Sequence, residues 1–284
     1  MKGLALVLVL FGCSDSEGAA IDAGGDGPTG GGADAPDAAL AGSAGCGMAN
    51  PIATNQYVQR TITVGGAART YVVRVPTGYD PQRRYPVVYQ QHGCSPAAER
   101  ENNNVPVHAQ AGTNAIIVRG RATGQCWDTS AAGVDVAFWD AMLAEVEATW
   151  CIDPTKRYLT GYSSGAFMTH RLGCIRADKI RAIATIAGGQ AESASCTGTV
   201  AAVLIHDTND GTVNVSASAA ARDSLIARNG CGTATTPTSH SPCVEYGGCA
   251  PGKPVVWCQT SGRNHDRQDA FAGPVFWDFF AGLP

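Results

Sequence analysis

The pentapeptide Gly161-Tyr162-Ser163-Ser164-Gly165 restricts what this chain can become more than any other feature. It follows a short apolar run, residues 157–160, and precedes a stretch of helical character. A strand that turns at once into a helix brings its neighbours too close for side chains. Residues without a Cβ must therefore flank the serine, which is itself held in a sparsely populated backbone conformation. Such a G-x-S-x-G junction presents the serine oxygen at the end of a sheet strand, where it can act as a nucleophile. In a chain with 35 glycines the spacing alone is a weak signal, so the remaining sequence has to support it.

The surrounding pattern does so. Two β-branched runs, residues 57–64 and 70–75, are separated by Gly65-Gly66 and read as a hairpin. Residues 87–91 and 115–118 are short apolar runs of the buried-strand kind. Val136, Trp139, Leu143, Val146 and Trp150 recur at spacings of three and four, which predicts a helix with one apolar face and assigns both tryptophans to the core. Residues 182–186, 200–205 and 254–258 supply further strands, and Pro274 is expected to open a final helix carrying Val275, Phe276, Phe279 and Phe280. Strands interleaved with helices predict a single α/β domain with a doubly wound, mostly parallel sheet. With the serine junction, the expectation is an α/β-hydrolase fold.

At 284 residues, 44% hydrophobic and 15% charged, the chain can bury one full core once its N-terminus is set aside. Met1-Lys2 and the apolar run of about ten residues to Gly12 have the form of an export signal, too short to span a bilayer. The sequence Leu10-Phe11-Gly12-Cys13 resembles a bacterial lipobox, in which Cys13 becomes the lipidated N-terminus. Residues 14–47 are Gly, Ala, Asp, Ser and Pro with almost no large apolar side chain, and read as a flexible tether reaching on the order of 30 Å. The expected organisation is thus a signal peptide at 1–12, lipidated cysteine and tether at 13–47, and a catalytic domain at 48–284 with Cys46 tied to it. A net charge of −4 without a Lys/Arg block argues against a nucleic-acid or anionic-membrane partner, leaving the lipid anchor as the link to a membrane.

Cysteine usage agrees with export. Beyond Cys13 there are Cys46, Cys94, Cys126, Cys151, Cys174, Cys196, Cys231, Cys243, Cys249 and Cys258, an even set that favours disulfides. Cys94 with Cys126 and Cys151 with Cys174 are topologically reasonable pairs. No C-x-x-C occurs and the histidines do not cluster with cysteines at ligand spacing, which argues against zinc.

An α/β-hydrolase triad runs Ser, then Asp or Glu, then His. Of six histidines only His240 and His265 follow a plausible acid; His240 lies in a Thr/Ser/Pro-rich insertion and His265 between the last strand and the last helix, which favours His265. The acid should leave the strand 200–205, where Asp207 and Asp210 compete. An oxyanion hole needs the N–H after the nucleophile, that of Ser164, and one from the loop after the early strand, where Gln91-His92-Gly93-Cys94 supplies Cys94. His92 is expected to prop that loop.

With these parts in order, from about Cys46 onward, the chain resembles the secreted polyhydroxybutyrate depolymerase and feruloyl esterase group, related to the first carbohydrate esterase family. The resemblance rests on His92-Gly93-Cys94, on the segment from Ile152-Asp153-Pro154 to Gly165, on residues 206–210 where that group has H-G-T-x-D, and on the surroundings of His265. It implies ester hydrolysis through an acyl-enzyme, with no metal or organic cofactor. By position it favours Asp210 as the acid, and Asp207, close to the strand end, is expected to be tied up in the turn. Two departures stand out: Asp207 replaces a usual glycine, and Asp266-Arg267-Gln268 follows His265 in place of Trp-Pro-Gly. Loops 120–133 and 233–253 are expected to shape the substrate pocket, with Trp127 either stacking on an aromatic acyl group or serving the core. A non-catalytic binding lipoprotein and a serine peptidase on the same fold are the rival readings.

Overall fold

The computed structural model describes residues 42–190 and 195–284; Cys13, the export segment and most of the tether lie outside them. The strands are β1 (Tyr57–Val64), β2 (Ala67–Arg74), β3 (Tyr85–Gln91), β4 (Ile116–Gly120), β5 (Ile152–Tyr162), β6 (Ala182–Ile186), β7 (Ala201–Asp207), β8 (Thr235–Pro237), β9 (Cys243–Tyr246) and β10 (Val255–Thr260). The helices are α1 (His108–Ala111), α2 (Val134–Thr149), α3 (Ser164–Ile175), α4 (Val215–Asn229) and α5 (Asp269–Ala281).

All ten strands join one sheet in the order β1-β2-β4-β3-β5-β6-β7-β10-β9-β8. From β4 to β10 the neighbours run parallel. Antiparallel pairs close both edges. Central strands are buried on both sides, so period-two alternation sends their residues into two cores. Val87, Tyr89, Ile183 and Leu204 pack with Trp139, Met142, Leu172 and Leu225 of α2, α3 and α4. Val88, Ala184, Val203 and Ile205 pack with Ala111 of α1 and with Val275, Phe276 and Phe280 of α5. This is the doubly wound arrangement, and it places the C-terminal ends of β3, β5, β7 and β10 along one rim, where the order of strands reverses beside β3 and ligands bind in such sheets.

Four expectations change. Helix α5 begins at Asp269, and Pro274 lies inside it. Losing the Pro274 N–H costs about 3 kcal/mol, whereas full burial of Phe276 and Phe280 contributes about 1.5–3 kcal/mol each, enough to carry the helix through the proline. Strand β5 is longer than 157–160 and is interrupted where its register with β3 jumps between Tyr85 and Val87, next to a local turn in which Thr155 donates to Asp153.

Cys151 pairs with Cys46 and Cys174 with Cys196, not with each other. The reason is local hydrogen bonding at each cysteine. Ser43 Oγ donates to Trp150 O at 2.7 Å and accepts from Ile152 N–H at 2.8 Å, which brings the 42–47 segment, assigned above to the tether, against the start of β5. Thr197 N–H donates to Cys174 O and draws Cys196 in. Cys94–Cys126 forms as expected, and Cys231–Cys249 and Cys243–Cys258 complete the set.

Residues 233–253, finally, are more regular than a loop. They form β8 and β9, extend the sheet beyond β10, and line a cavity with α5 that includes Thr238, His240, Val275 and Phe279.

Candidate active site

Ser163 sits between β5 and α3 at φ 53°, ψ −120°, a conformation that costs a non-glycine residue about 1–3 kcal/mol. The surroundings over-determine it. Ser163 N–H donates to Ile186 O at 3.0 Å, and its carbonyl accepts from Ala166 and Phe167 in the first turn of α3. A Cβ on Gly161 would lie 2.1 Å from Gly165 O, and one on Gly165 would lie 2.0 Å from Gln91 O. Both glycines of the pentapeptide are therefore fixed by backbone packing against backbone, as the sequence implied.

The loop after β3 lies beside the serine. A Cβ on Gly93 would come within 2.7 Å of the Tyr162 ring. Gly93 N–H donates to Asn103 O and Ser95 N–H to Gln125 O, while the amide between them, Cys94 N–H, has no partner among the described residues. Ser164 N–H, at the start of α3, is likewise unpaired there. The Cys94–Cys126 bridge pins the loop.

His92 is fully buried and braces this loop. Its Nε2 accepts from Ala122 N–H at 3.1 Å, so the ring proton is on Nδ1, which donates to Gly93 O at 2.6 Å. Burial pushes its pKa down to about 4, against the opposing pull of the Gly93 carbonyl, and the ring is neutral at pH 7. Trp127 belongs to the same brace: it is 7% exposed, its indole N–H donates to His92 O at 2.9 Å, and its backbone N–H donates to Ser164 Oγ at 2.9 Å. That corrects the stacking alternative for Trp127, because the ring is packed against Gly120 and His92.

His265 follows β10 and reaches Ser163: its Nε2 is 3.0 Å from Ser163 Oγ and its Nδ1 is 2.7 Å from Asp210 Oδ2. Asp210, in the loop between β7 and α4, has a fully buried side chain. Its Oδ1 accepts from Thr212 N–H at 2.9 Å and Val213 N–H at 2.8 Å. Burial raises this carboxyl's pKa, but the bonds from His265, Val213 and Thr212 outweigh it and the net displacement is downward. An ionised carboxylate only accepts, so the proton of His265 is on Nδ1, and Nε2 is the acceptor for the Ser163 hydroxyl.

Asp207 is placed differently. Its Oδ1 accepts from Asn209 N–H at 2.9 Å, closing the turn, and its Oδ2 accepts from Thr260 Oγ at 3.1 Å and Arg263 N–H at 3.0 Å. Asp207 thus ties the end of β7 to the loop that carries His265. His240 is engaged elsewhere, with Nε2 2.9 Å from Asp278.

Tyr162 had no signal in the sequence beyond being the variable residue of the pentapeptide. Its hydroxyl donates to His265 O at 3.0 Å, and burial, the largest influence, holds the phenol protonated with a pKa of about 12. Among the described residues no group of three or more His, Cys, Asp or Glu is arranged to hold a metal ion.

No protein-family model matches the chain. Feruloyl esterase D of Neurospora crassa is 33% identical over 270 residues, covering 86% of this chain and 91% of that protein. Feruloyl esterase C of Emericella nidulans is 29% identical, covering 84% and 91%. Among solved structures, the acetyl xylan esterase from Aspergillus awamori superposes with a TM-score of 0.62 at 14% identity, over 79% of this chain and 99% of that one. At that identity the likeness carries the fold and nothing finer.

Proposed function

The chain belongs to the feruloyl esterase family of carboxylic ester hydrolases, and on that premise we propose that it cleaves feruloyl esters of polysaccharides through an acyl-enzyme formed on Ser163. The observation that supports this most is the unbroken line from Asp210 through His265 to Ser163, at 2.7 and 3.0 Å, beside two amides without a partner among the described residues.

In this reading Ser163 Oγ attacks the ester carbonyl while its proton passes to His265 Nε2. Asp210 holds the resulting imidazolium. The carbonyl oxygen becomes an oxyanion and accepts from the N–H groups of Cys94 and Ser164, a type of interaction worth about 2.7–4 kcal/mol per donor. The intermediate collapses as His265 returns its proton to the departing sugar oxygen. A water then gives a proton to His265 Nε2 as it attacks the acyl carbonyl, and the second tetrahedral intermediate collapses as His265 returns that proton to Ser163 Oγ, releasing the acid and free Ser163. Fixed amides and a fixed base need no reorganisation during these steps.

The five disulfides fit folding in an oxidising compartment. Export with lipidation of Cys13 is the accompanying reading of the N-terminus, checked by intact mass of the mature protein: an acylated Cys13 supports the anchor, and an unmodified start beyond it excludes it.

Methyl ferulate, acetylated xylan, a hydroxybutyrate polymer and short p-nitrophenyl esters assayed side by side test the substrate. The proposal expects the highest kcat/KM of the natural-type esters on the feruloyl ester. Turnover confined to acetyl or hydroxybutyrate esters overturns the substrate assignment, and cleavage of peptides alone overturns the reaction class.

A further inference from the structure

His206 is a fully buried histidine that the reaction above does not use. It is the penultimate residue of β7, and its Nε2 lies 3.2 Å from Asp210 Oδ2, the oxygen that also accepts from His265. The same Nε2 is 2.9 Å from Val213 O. Both neighbours of Nε2 are acceptors only, a carboxylate and a peptide carbonyl, so Nε2 carries the proton. On the far side Nδ1 is 2.5 Å from Ser218 Oγ of α4, which bonds in turn to Gly188 O after β6. The ring is thereby fixed between β6, α4 and the acid loop.

We propose that His206 is a positioning residue for the acid: it donates from Nε2 to Asp210 Oδ2 and Val213 O and so fixes the carboxylate that orients His265. The inference rests on the reading of Asp210 as the triad acid. With His206 in place all directions around the carboxylate are occupied, two amides on Oδ1 and two imidazoles on Oδ2. Val213 closes the arrangement, donating its N–H to Asp210 and accepting at its carbonyl from His206. Without the second imidazole, the Oδ2 end of a desolvated carboxylate keeps His265 as its single donor. Held at Oδ1 by its two amides, the carboxylate can then twist about that end and shift Oδ2 from the geometry that aims Nε2 at Ser163. Removing a donor to a buried charged group costs transition-state alignment and leaves the substrate-binding surface untouched.

The test compares His206→Phe, which removes the donor, with His206→Gln, whose amide N–H can reach the position of Nε2, and with Asp210→Asn. His206→Phe is expected to lower kcat about tenfold or more with KM within about twofold, and His206→Gln to recover most of that loss. In the proton NMR spectrum of the unmodified enzyme, two low-field ring resonances are expected, on His265 Nδ1 and His206 Nε2. The His265 line is expected to move in His206→Phe and to return toward its original position in His206→Gln. Equal kcat in all His206 variants, or loss in His206→Phe that Gln does not restore, overturns the proposal. If neither variant folds, the unmodified enzyme still decides: a nitrogen-15 spectrum with no proton on His206 Nε2 overturns it. An active Asp210→Asn overturns the triad reading itself, whereas an inactive Asp210→Asn beside a fully active His206→Phe overturns only the role of His206.

Discussion

Around Ser163 the contacts that fix the geometry are backbone against backbone: Gly161 against Gly165, Gly165 against Gln91, and Ser163 N–H on Ile186 O. Around Asp210 and His265 each contact has a side chain on one side: the Thr212 and Val213 amides donate to Asp210 within its own loop, Thr260 and the Arg263 amide donate to Asp207 from the other loop, and the Tyr162 hydroxyl donates to the His265 carbonyl. The two halves of one site are therefore vulnerable to different changes. The serine half cannot accept an added methyl group, and the acid–base half cannot lose a donor or acceptor.

The sharpest way to break this contrast is a pair of glycine substitutions. Gly165→Ala puts a methyl group 2.0 Å from the Gln91 carbonyl and is expected to abolish folded, active enzyme. Gly211→Ala, one residue past Asp210, meets nothing within 4 Å and is expected to be the smallest effect in the series, within about twofold in kcat. Soluble expression, melting temperature and turnover of both report the outcome. A well-folded, active Gly165→Ala enzyme contradicts the account of the serine half.

Next in size, Asp210→Asn keeps the shape but allows the wrong imidazole tautomer, with a loss in kcat on the order of 10⁴. Asp207→Asn weakens the tie between the two loops without touching His265, and a fall of about tenfold is expected. Both are measured on one ester with folding verified by circular dichroism; the opposite ranking would exchange the roles of the two aspartates.

Acid should separate the two halves as well. The folded pKa values of His92, about 4, and of His170, a buried residue of α3 with Nε2 3.1 Å from Thr185 Oγ, about 3, are depressed by burial. Both rings are stabilising as neutral groups above the unfolded value near 6.5, and that contribution is lost as pH falls from there toward the folded values. At pH 5 the loss is on the order of 2 kcal/mol per histidine. Asp207 and Asp210 have lowered pKa values, so their stabilising effect is complete above the unfolded value near 4 and is lost only as pH falls through the folded ones. Urea midpoints are thus expected to drop between pH 7 and pH 5, well before the carboxylates protonate. A flat midpoint over that range would contradict the buried, neutral state of the two histidines.

How far the sequence could be read follows the same division. The serine junction was legible because its constraint is local: glycines at fixed offsets leave a mark within five residues. The α/β order was legible because buried parallel strands are short apolar runs. His265 and Asp210 emerged from chain order and a motif, but Asp207's bonds to Thr260 and Arg263 span more than fifty residues and leave no periodic trace. Trp127 was ambiguous for a related reason: an aromatic residue in a loop looks the same whether it faces a ligand or, as here, the underside of His92. The Cys151 pairing is not legible because residues 42–47 lack large apolar side chains and dock through Ser43 hydrogen bonds instead.

The central claim is that Ser163 is the nucleophile, made reactive by His265. Treatment of the purified protein with a fluorophosphonate, followed by peptide mass spectrometry, tests it most directly. A single adduct on Ser163, formed in step with loss of esterase activity and absent from Ser163→Ala and strongly slowed in His265→Ala, is the predicted result. Full loss of activity with the adduct on another residue, or undiminished ester turnover by purified Ser163→Ala, would contradict it.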